Sequence, residues 1–444
     1  MNNSIATINP QLNIQKKSHS IFLLMLGVFI LLIFARTVVG ITFPVVILLG
    51  WFAVTALFSD RDELLTLCIL CIPTASAFQY KYALILGMVV YALKFKDDFK
   101  LNLCILPVVI MMVWELIHGL FYDLSIVELL RDFVELIFLS FMMCIKKRET
   151  DYVFLCRVFG YVVGIIVIFV LINVLRTRNY DLNALFEEGN YRFGIGNKEA
   201  ENFGLNYNPN GLGRLCNCGI VSLMLLRYVK KQMVLDNVVA IILILIGGLT
   251  VSRTFILTCA AIFVVFALLG NKSGKGRIKT ILITAILVLV IWFVVANFLP
   301  AVYDRFVARF SESDITGGRS GLLDIYDEHI YSSWKHALFG IGLQNVSTKM
   351  NQIYGLVTEV PHNGVQELIV VWGWPGLCMF LSMLLCVIHS AGKNVKKFGI
   401  INFVPFVFVI GTSMAGQLIT AGSKLLMLSF AYITLSKCFL GEEE

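Results

Sequence analysis

The chain has 444 residues, of which 58% are hydrophobic and 15% charged, with a formal net charge of +7. Soluble domains carry about a quarter charged residues. Here long apolar runs alternate with short basic clusters, which is membrane-protein composition and excludes a water-soluble globule. The positive excess lies in the clusters, beside anionic lipid, and implies no nucleic-acid partner.

A spanning helix needs about 20 apolar residues. In chain order, spans are predicted near 20–38, 40–58, 64–79, 81–94, 101–121, 124–145, 152–175, 209–228, 234–250, 253–270, 278–299, 375–391, 400–420 and 424–440. The expected fold is therefore an all-α polytopic transmembrane bundle of about 12–14 spans with a long, partly helical outer loop. The pair 64–79 and 81–94 is short and is broken by Pro73 and Lys81. The first run is full length, continues into a second and is followed by no small-residue cleavage pattern, so it reads as a signal anchor.

Lys and Arg set the orientation. Lys16 and Lys17, Arg61, Lys94 to Lys100, Lys146 to Arg148, Lys230 and Lys231, Lys272 to Lys279, and Lys393 to Lys397 fall on one set of connections. The alternate short turns hold little beyond Lys81, Arg253 and Lys424. Positive-inside then places both termini in the cytoplasm and the two long hydrophilic loops outside. The chain divides into N-terminal spans (1–175), a first outer loop (176–208), central spans (209–299), a large outer loop (300–374) and C-terminal spans (375–444). The eleven cysteines all fall in or beside spans. A disulfide-built outer domain is excluded, and the pairs Cys68/Cys71 and Cys216/Cys218 read as packing residues rather than metal ligands.

Ionisable residues inside spans are costly and mark sites or ties. Span 5 ends with Trp114, Glu115 and His118. Span 6 begins with Glu128, Arg131, Asp132 and Glu135 on one helical stripe. The stripe reads either as a salt-bridge ladder between helices or as the wall of a water-filled cavity opening outward; the two are compatible. Arg157 and Arg227 lie at cytoplasmic ends, where they can snorkel.

The first outer loop carries Arg192-Phe-Gly-Ile-Gly and then Asn206-Tyr-Asn-Pro-Asn-Gly-Leu-Gly-Arg214. Asn208 is an expected N-cap with Pro209 at the first helical position. That places Asn210 and Arg214 at a helix N-terminus, which favours anions. In the second loop, Arg305 and Arg309 are spaced i, i+4 beside Phe306 and Phe310. After Arg319 a helix is expected with an apolar stripe of Leu323, Tyr326, Ile330, Trp334 and Ala337, ending at Gly340-Ile-Gly342. Pro361-His362-Asn363 precedes a short helix, 363–372, carrying Glu367. Gly373 stops that helix, and Pro375 starts the next span. By itself, His362 is more readily a bland interfacial residue than a catalytic one.

Taken together, Arg192 with its glycines, Asn208-Pro-Asn210, Ser252-Arg253-Thr254, Arg319 before a Trp-containing helix, Gly340-Ile-Gly342, His362-Asn363 and Gly373-Trp-Pro-Gly376 resemble the O-antigen polymerase and O-antigen ligase superfamily of bacterial envelope glycosyltransferases. The resemblance covers about 190–380. It implies a substrate of glycan repeat units on undecaprenyl diphosphate and inverting transfer with no nucleotide sugar, metal or other cofactor. It assigns Arg253 and Arg319 to the diphosphate, His362 to acceptor activation, and Arg192 or Arg214 as a further arginine; the sequence does not decide between these two. Asn210, Asn363 and Glu367 complete the expected site, with Glu367 and Glu328 as alternative bases.

The chemistry suits these residue types independently. A diphosphate leaving group gains charge as its bond breaks, and arginine offers permanent, bidentate stabilisation. Histidine suits the acceptor proton. The outer loops hold no Asp-x-Asp cluster or close His pair, which agrees with metal independence. Expected partners are the lipid-linked oligosaccharide, membrane lipid, a chain-length regulator and a flippase. A ligase delivering finished glycan to a lipid A core or a protein is the alternative within the superfamily. A transporter or flippase is the alternative from another class, although the two halves show no internal repeat. A structural subunit of a synthesis complex is a third reading.

Overall fold

A computed structural model describes residues 19–120, 125–145, 151–176, 180–187, 193, 205, 207–229, 231–270, 274–311, 320–346, 361–398, 400–414, 416–419 and 424–436. Regular structure among them is helical, and the only β-type contact is an isolated bridge between Phe99 and Ile145. An apolar run in lipid must satisfy its backbone internally, and a helix does so.

The helices are α1 (Ser20–Phe34, running on as a π turn Ala35–Val39), α2 (Val45–Phe58), α3 (Arg61–Ile69), α4 (Tyr80–Lys94), α5 (Leu106–His118), α6 (Ile126–Cys144), α7 (Tyr152–Arg176), α8 (Leu182–Glu187) and α9 (Pro209–Tyr228). They continue with α10 (Val234–Leu249), α11 (Arg253–Gly270), α12 (Gly274–Phe298), α13 (Pro300–Ser311), α14 (Ser320–Tyr331), α15 (Trp334–Phe339), α16 (Gly364–Phe398), α17 (Val404–Met414) and α18 (Lys424–Ser436). Among the described residues, three stretches are long and apolar enough to cross a bilayer: Ser20–Val39, Tyr152–Arg176 and Gly364–His389. Several others, among them Val45–Phe58 and Val234–Leu249, are shorter apolar helices.

The centre is α7, α9 and α10, brought together by small residues. A Cβ on Gly160 would lie 2.6 Å from Leu223, and one on Gly219 would lie 2.7 Å from Leu243. Close backbone approach is how helices associate where lipid supplies no hydrophobic drive. From Leu215 to Leu226, α9 is buried on every side, and so is α18 from Lys424 to Thr434. Peripheral helices instead turn Leu24, Leu57 and Phe293 outward, each more than half exposed. A large apolar exterior of this kind is a membrane-facing surface.

Two expectations change, and the ladder reading of the α6 stripe holds. The predicted span 64–79 is two short buried pieces, α3 and the turn Cys71–Thr74. Asp60 starts α3 as a capping box with Glu63, so the chain enters here as a polar-capped helix rather than a span. The α6 stripe forms the ladder: Asp132 pairs with Lys81 at 3.3 Å, Arg131 with Glu128 at 3.6 Å, and the Tyr80 hydroxyl donates to Glu135. Arg157 pairs with buried Asp236 at 3.4 Å rather than snorkelling.

The outer loops meet, α8 of the first packing on α13 of the second. In α14, Tyr326 and Ile330 are buried as expected. The single helix expected to run on to 339 instead breaks before Ser333, whose hydroxyl caps α15 by accepting from the Lys335 N–H at 3.2 Å. Trp334 therefore leaves the apolar stripe and is exposed.

Candidate active site

The break predicted at Gly373 is present: α16 changes direction there, with Gly373 at φ 69°. A Cβ at Gly373 would lie 2.2 Å from the Leu338 carbonyl oxygen, so only glycine fits. The interruption strips the last turn before it of helical donors. Other groups supply them. Ile341 N–H donates to Val370 O and Gly342 N–H to Val371 O, both at 2.9 Å, and Trp114 Nε1–H donates to Trp372 O at 3.0 Å.

Fully buried Glu115 completes this junction. It accepts from Trp372 Nε1–H at 2.6 Å and from Leu343 N–H at 2.9 Å. His118 places Nε2 2.6 Å from Phe339 O and Nδ1 2.9 Å from Trp114 O. The His118 end of α5 is thus a socket for the turn 340–343 and for the segment 364–372. The sequence singled out these polar residues but not what they hold.

His362 is positioned by this segment. Asn363 is its N-cap, its side-chain oxygen accepting from Val365 N–H at 2.9 Å. Gln366 Nε2 donates to Leu323 O and to Asp327, both at 2.8 Å, tying α14 to α16. Gly364 lets the turn approach α17, since a Cβ there would lie 2.7 Å from Ser413 O.

The opposite wall begins at α9. Asn208 caps it as expected, accepting from Asn210 N–H at 2.8 Å and Gly211 N–H at 3.2 Å. The Asn210 side-chain oxygen accepts from the Ser252 hydroxyl at 2.9 Å, joining α9 to the Ser252-Arg253-Thr254 turn. That turn is tight enough to hold Val251 at φ 46°.

These pieces enclose one polar cleft of ≈ 40 Å³. Asn208, Asn210 and Arg214 line it from α9, Thr254 from α11 and His362 from the turn before α16. Thr412, Gly416, Gln417 and Lys424 line the remaining side. No carboxylate is among the described lining residues. Two cations, an imidazole and several amides and hydroxyls converge there, a set suited to an anionic, polyhydroxyl ligand.

The structure therefore brings together His362, Asn210 and Arg214 of the residues singled out from sequence. Arg253 precedes cleft-lining Thr254 and is tied to α13. Its Nε donates to Arg309 O at 3.1 Å, and its terminal nitrogen donates to the same carbonyl, near the C-terminus of α13. A cation there meets the negative end of a helix. Glu367 is fully buried and accepts from Leu418 N–H and, at 3.0 Å, from Ile419 N–H. It grips the segment that carries Gly416 and Gln417. Glu328 is exposed on α14. Arg192 and Arg319 lie outside the described residues. The site residue that sequence reading passed over is Lys424; its one signal was an isolated cation opening an apolar span.

Residues 238–381 match the family model described as O-Antigen ligase. The match runs from α10 into α16 and includes Thr254, His362 and the Gly373 break, while Asn210, Arg214 and Lys424 lie outside it. No curated protein matches the sequence. Covering about a third of the chain, the match supports an O-antigen ligase or polymerase type of function at superfamily level and a glycosyltransferase-like enzyme in the membrane. Together with the order of motifs and the all-helical membrane fold, it supports a likeness to the O-antigen polymerase and ligase superfamily.

Proposed function

We propose that the protein is a bacterial surface-polysaccharide polymerase that joins undecaprenyl-diphosphate-linked repeat units at the outer face of the cytoplasmic membrane. The observation that carries this reading is the convergence of His362, Arg214 and Asn210 on one cleft at the socketed end of the outer loop. In the reaction, His362 takes the proton of the acceptor sugar hydroxyl. The hydroxyl oxygen then attacks the anomeric carbon of the donor from the face opposite the diphosphate. The bond from that carbon to the phosphate oxygen breaks, the electron pair leaves with the lipid diphosphate, and the configuration inverts. Arg214 neutralises the charge that develops on the leaving group, and Asn210 orients donor or acceptor hydroxyls. A positioned general base contributes typically 10²–10⁴-fold, and a preorganised donor to the leaving oxygen about 10²–10³-fold.

In this reading Arg253 acts through α13 rather than on the diphosphate. Asn363 and Glu367 fix His362 and the facing segment. Arg192 and Arg319 remain proposed diphosphate contacts. No metal takes part in the proposed chemistry.

The family description, O-Antigen ligase, favours a second product: transfer of finished glycan to a separate acceptor. Purified protein in nanodiscs, given lipid-linked repeat unit alone, separates the two. A polymerase yields a ladder of lipid-linked oligomers. No ladder, with transfer appearing only when a lipid A core or protein acceptor is added, identifies a ligase. No product under either condition contradicts a glycan transferase.

A further inference from the structure

The cleft has a cation that neither the order of motifs nor the family match picks out. Lys424 opens α18 and is 3% exposed. Its ammonium lies 3.4 Å from the Cβ position of Gly416, on the cleft wall facing Arg214 and His362. No hydrogen bond or ion pair joins Lys424 to any described residue. Glu367, the carboxylate that grips the same segment, accepts from the Leu418 and Ile419 N–H groups. Burying an ammonium is costly, and a lysine inside a membrane bundle marks a ligand path.

We propose that Lys424 binds the anionic end of the donor together with Arg214, so that the cleft is a two-cation site for a diphosphate. This rests on the reading of the cleft as the donor site. The two cations come from different helices, α18 and α9, and grip the group from two walls. An ammonium is a compact point charge and contacts one phosphate oxygen, whereas the Arg214 guanidinium can hold two.

The test uses the full chain in phosphatidylcholine nanodiscs, with inorganic pyrophosphate as the probe, followed by calorimetry and thermal unfolding. Wild type binds pyrophosphate. Lys424→Met weakens binding about ten- to a hundred-fold, the range for one charge-assisted contact. Lys424→Arg stays within a few-fold of wild type. Without pyrophosphate, Lys424→Met unfolds at the wild-type temperature or above it, because the cost of burying a charge is gone. If Lys424→Met fails to fold or unfolds at a lower temperature, the lysine is structural and the proposal is overturned. If Arg214→Gln weakens binding and Lys424→Met does not, the two-cation site is wrong while the donor cleft stands. If wild type does not bind pyrophosphate at all, the donor cleft itself is wrong. Repeating the titration in phosphatidylglycerol nanodiscs separates the sources of phosphate. Binding of pyrophosphate persists there if the site takes the donor diphosphate. Its loss assigns the site to lipid headgroups and overturns the proposal.

Discussion

Replacing Glu115 with alanine should release the outer loop from α5. In the native protein this carboxylate is fully buried and accepts from Trp372 Nε1–H and Leu343 N–H. Removing it leaves both donors buried without an acceptor. Each such loss costs about 1–3 kcal/mol, so the junction should weaken by about 2–6 kcal/mol. Glu115→Gln keeps an oxygen acceptor and loses only charge assistance, so its effect should be near the lower end. The specific partner is tested with a double-mutant cycle on Glu115→Ala and Trp372→Phe, which should return a coupling of about 1–3 kcal/mol. The assay is thermal unfolding in nanodiscs combined with protease access to 340–346 from the outer side. Glu115→Ala should unfold at lower temperature and be cut faster at the loop. An unfolding temperature and cleavage rate equal to wild type, with zero coupling to Trp372, would refute the socket.

Other consequences follow from the same geometry. His329 is buried in α14 with its ring stacked on His336 at 4.2 Å, and burial followed by the His336 charge lowers its pKa to about 4. The unfolded chain binds this proton from about pH 6.5 downward and the folded chain only near 4. Stability carried by neutral His329 is thus complete above about pH 6.5 and falls between 6.5 and 4, by at most about 1.4 kcal/mol per pH unit. His329→Gln should flatten that slope in a pH series of unfolding curves, and an unchanged slope removes the assignment. Because Arg253 donates to the Arg309 carbonyl, Arg253→Lys, which can keep one of these bonds, should retain most chain synthesis; a loss as deep as that of Arg214→Gln would place Arg253 on the diphosphate instead. Reporter fusions after Lys231 should read cytoplasm and fusions near Asn345 the outside; a cytoplasmic signal from Asn345 rules out the orientation. Activity on lipid-linked repeat units should survive EDTA, and loss restored by Mg²⁺ or Mn²⁺ counts against the proposed chemistry.

The order of helices was legible because each apolar run must bury its own backbone bonds. Capping chemistry was equally legible: Asn208-Pro209 and Gly373-Trp-Pro375 start and stop helices through local geometry that no distant contact overrides. Side-chain direction was not. Arg253 sits beside the cleft in sequence terms, yet its partner is a carbonyl 56 residues on. The stripe from Leu323 to Ala337 read as one helix, and instead the Ser333 hydroxyl began a new one. Glu115 and Glu367 announced themselves as charges within apolar surroundings, but their partners are backbone or indole N–H groups supplied by other elements. Lys424 read as a stray cation because nothing local shows that α18 starts against α9 and α16.

The central claim is that His362 and Arg214 carry the chemistry of one outer-face cleft. It is tested most directly by chain formation in a polymerase-null strain complemented with His362→Ala or Arg214→Gln at matched membrane levels. The account predicts that either variant reduces long chains by about two orders of magnitude or more, with His362→Ala still binding the lipid-linked donor. Near-normal long chains from both variants would contradict it.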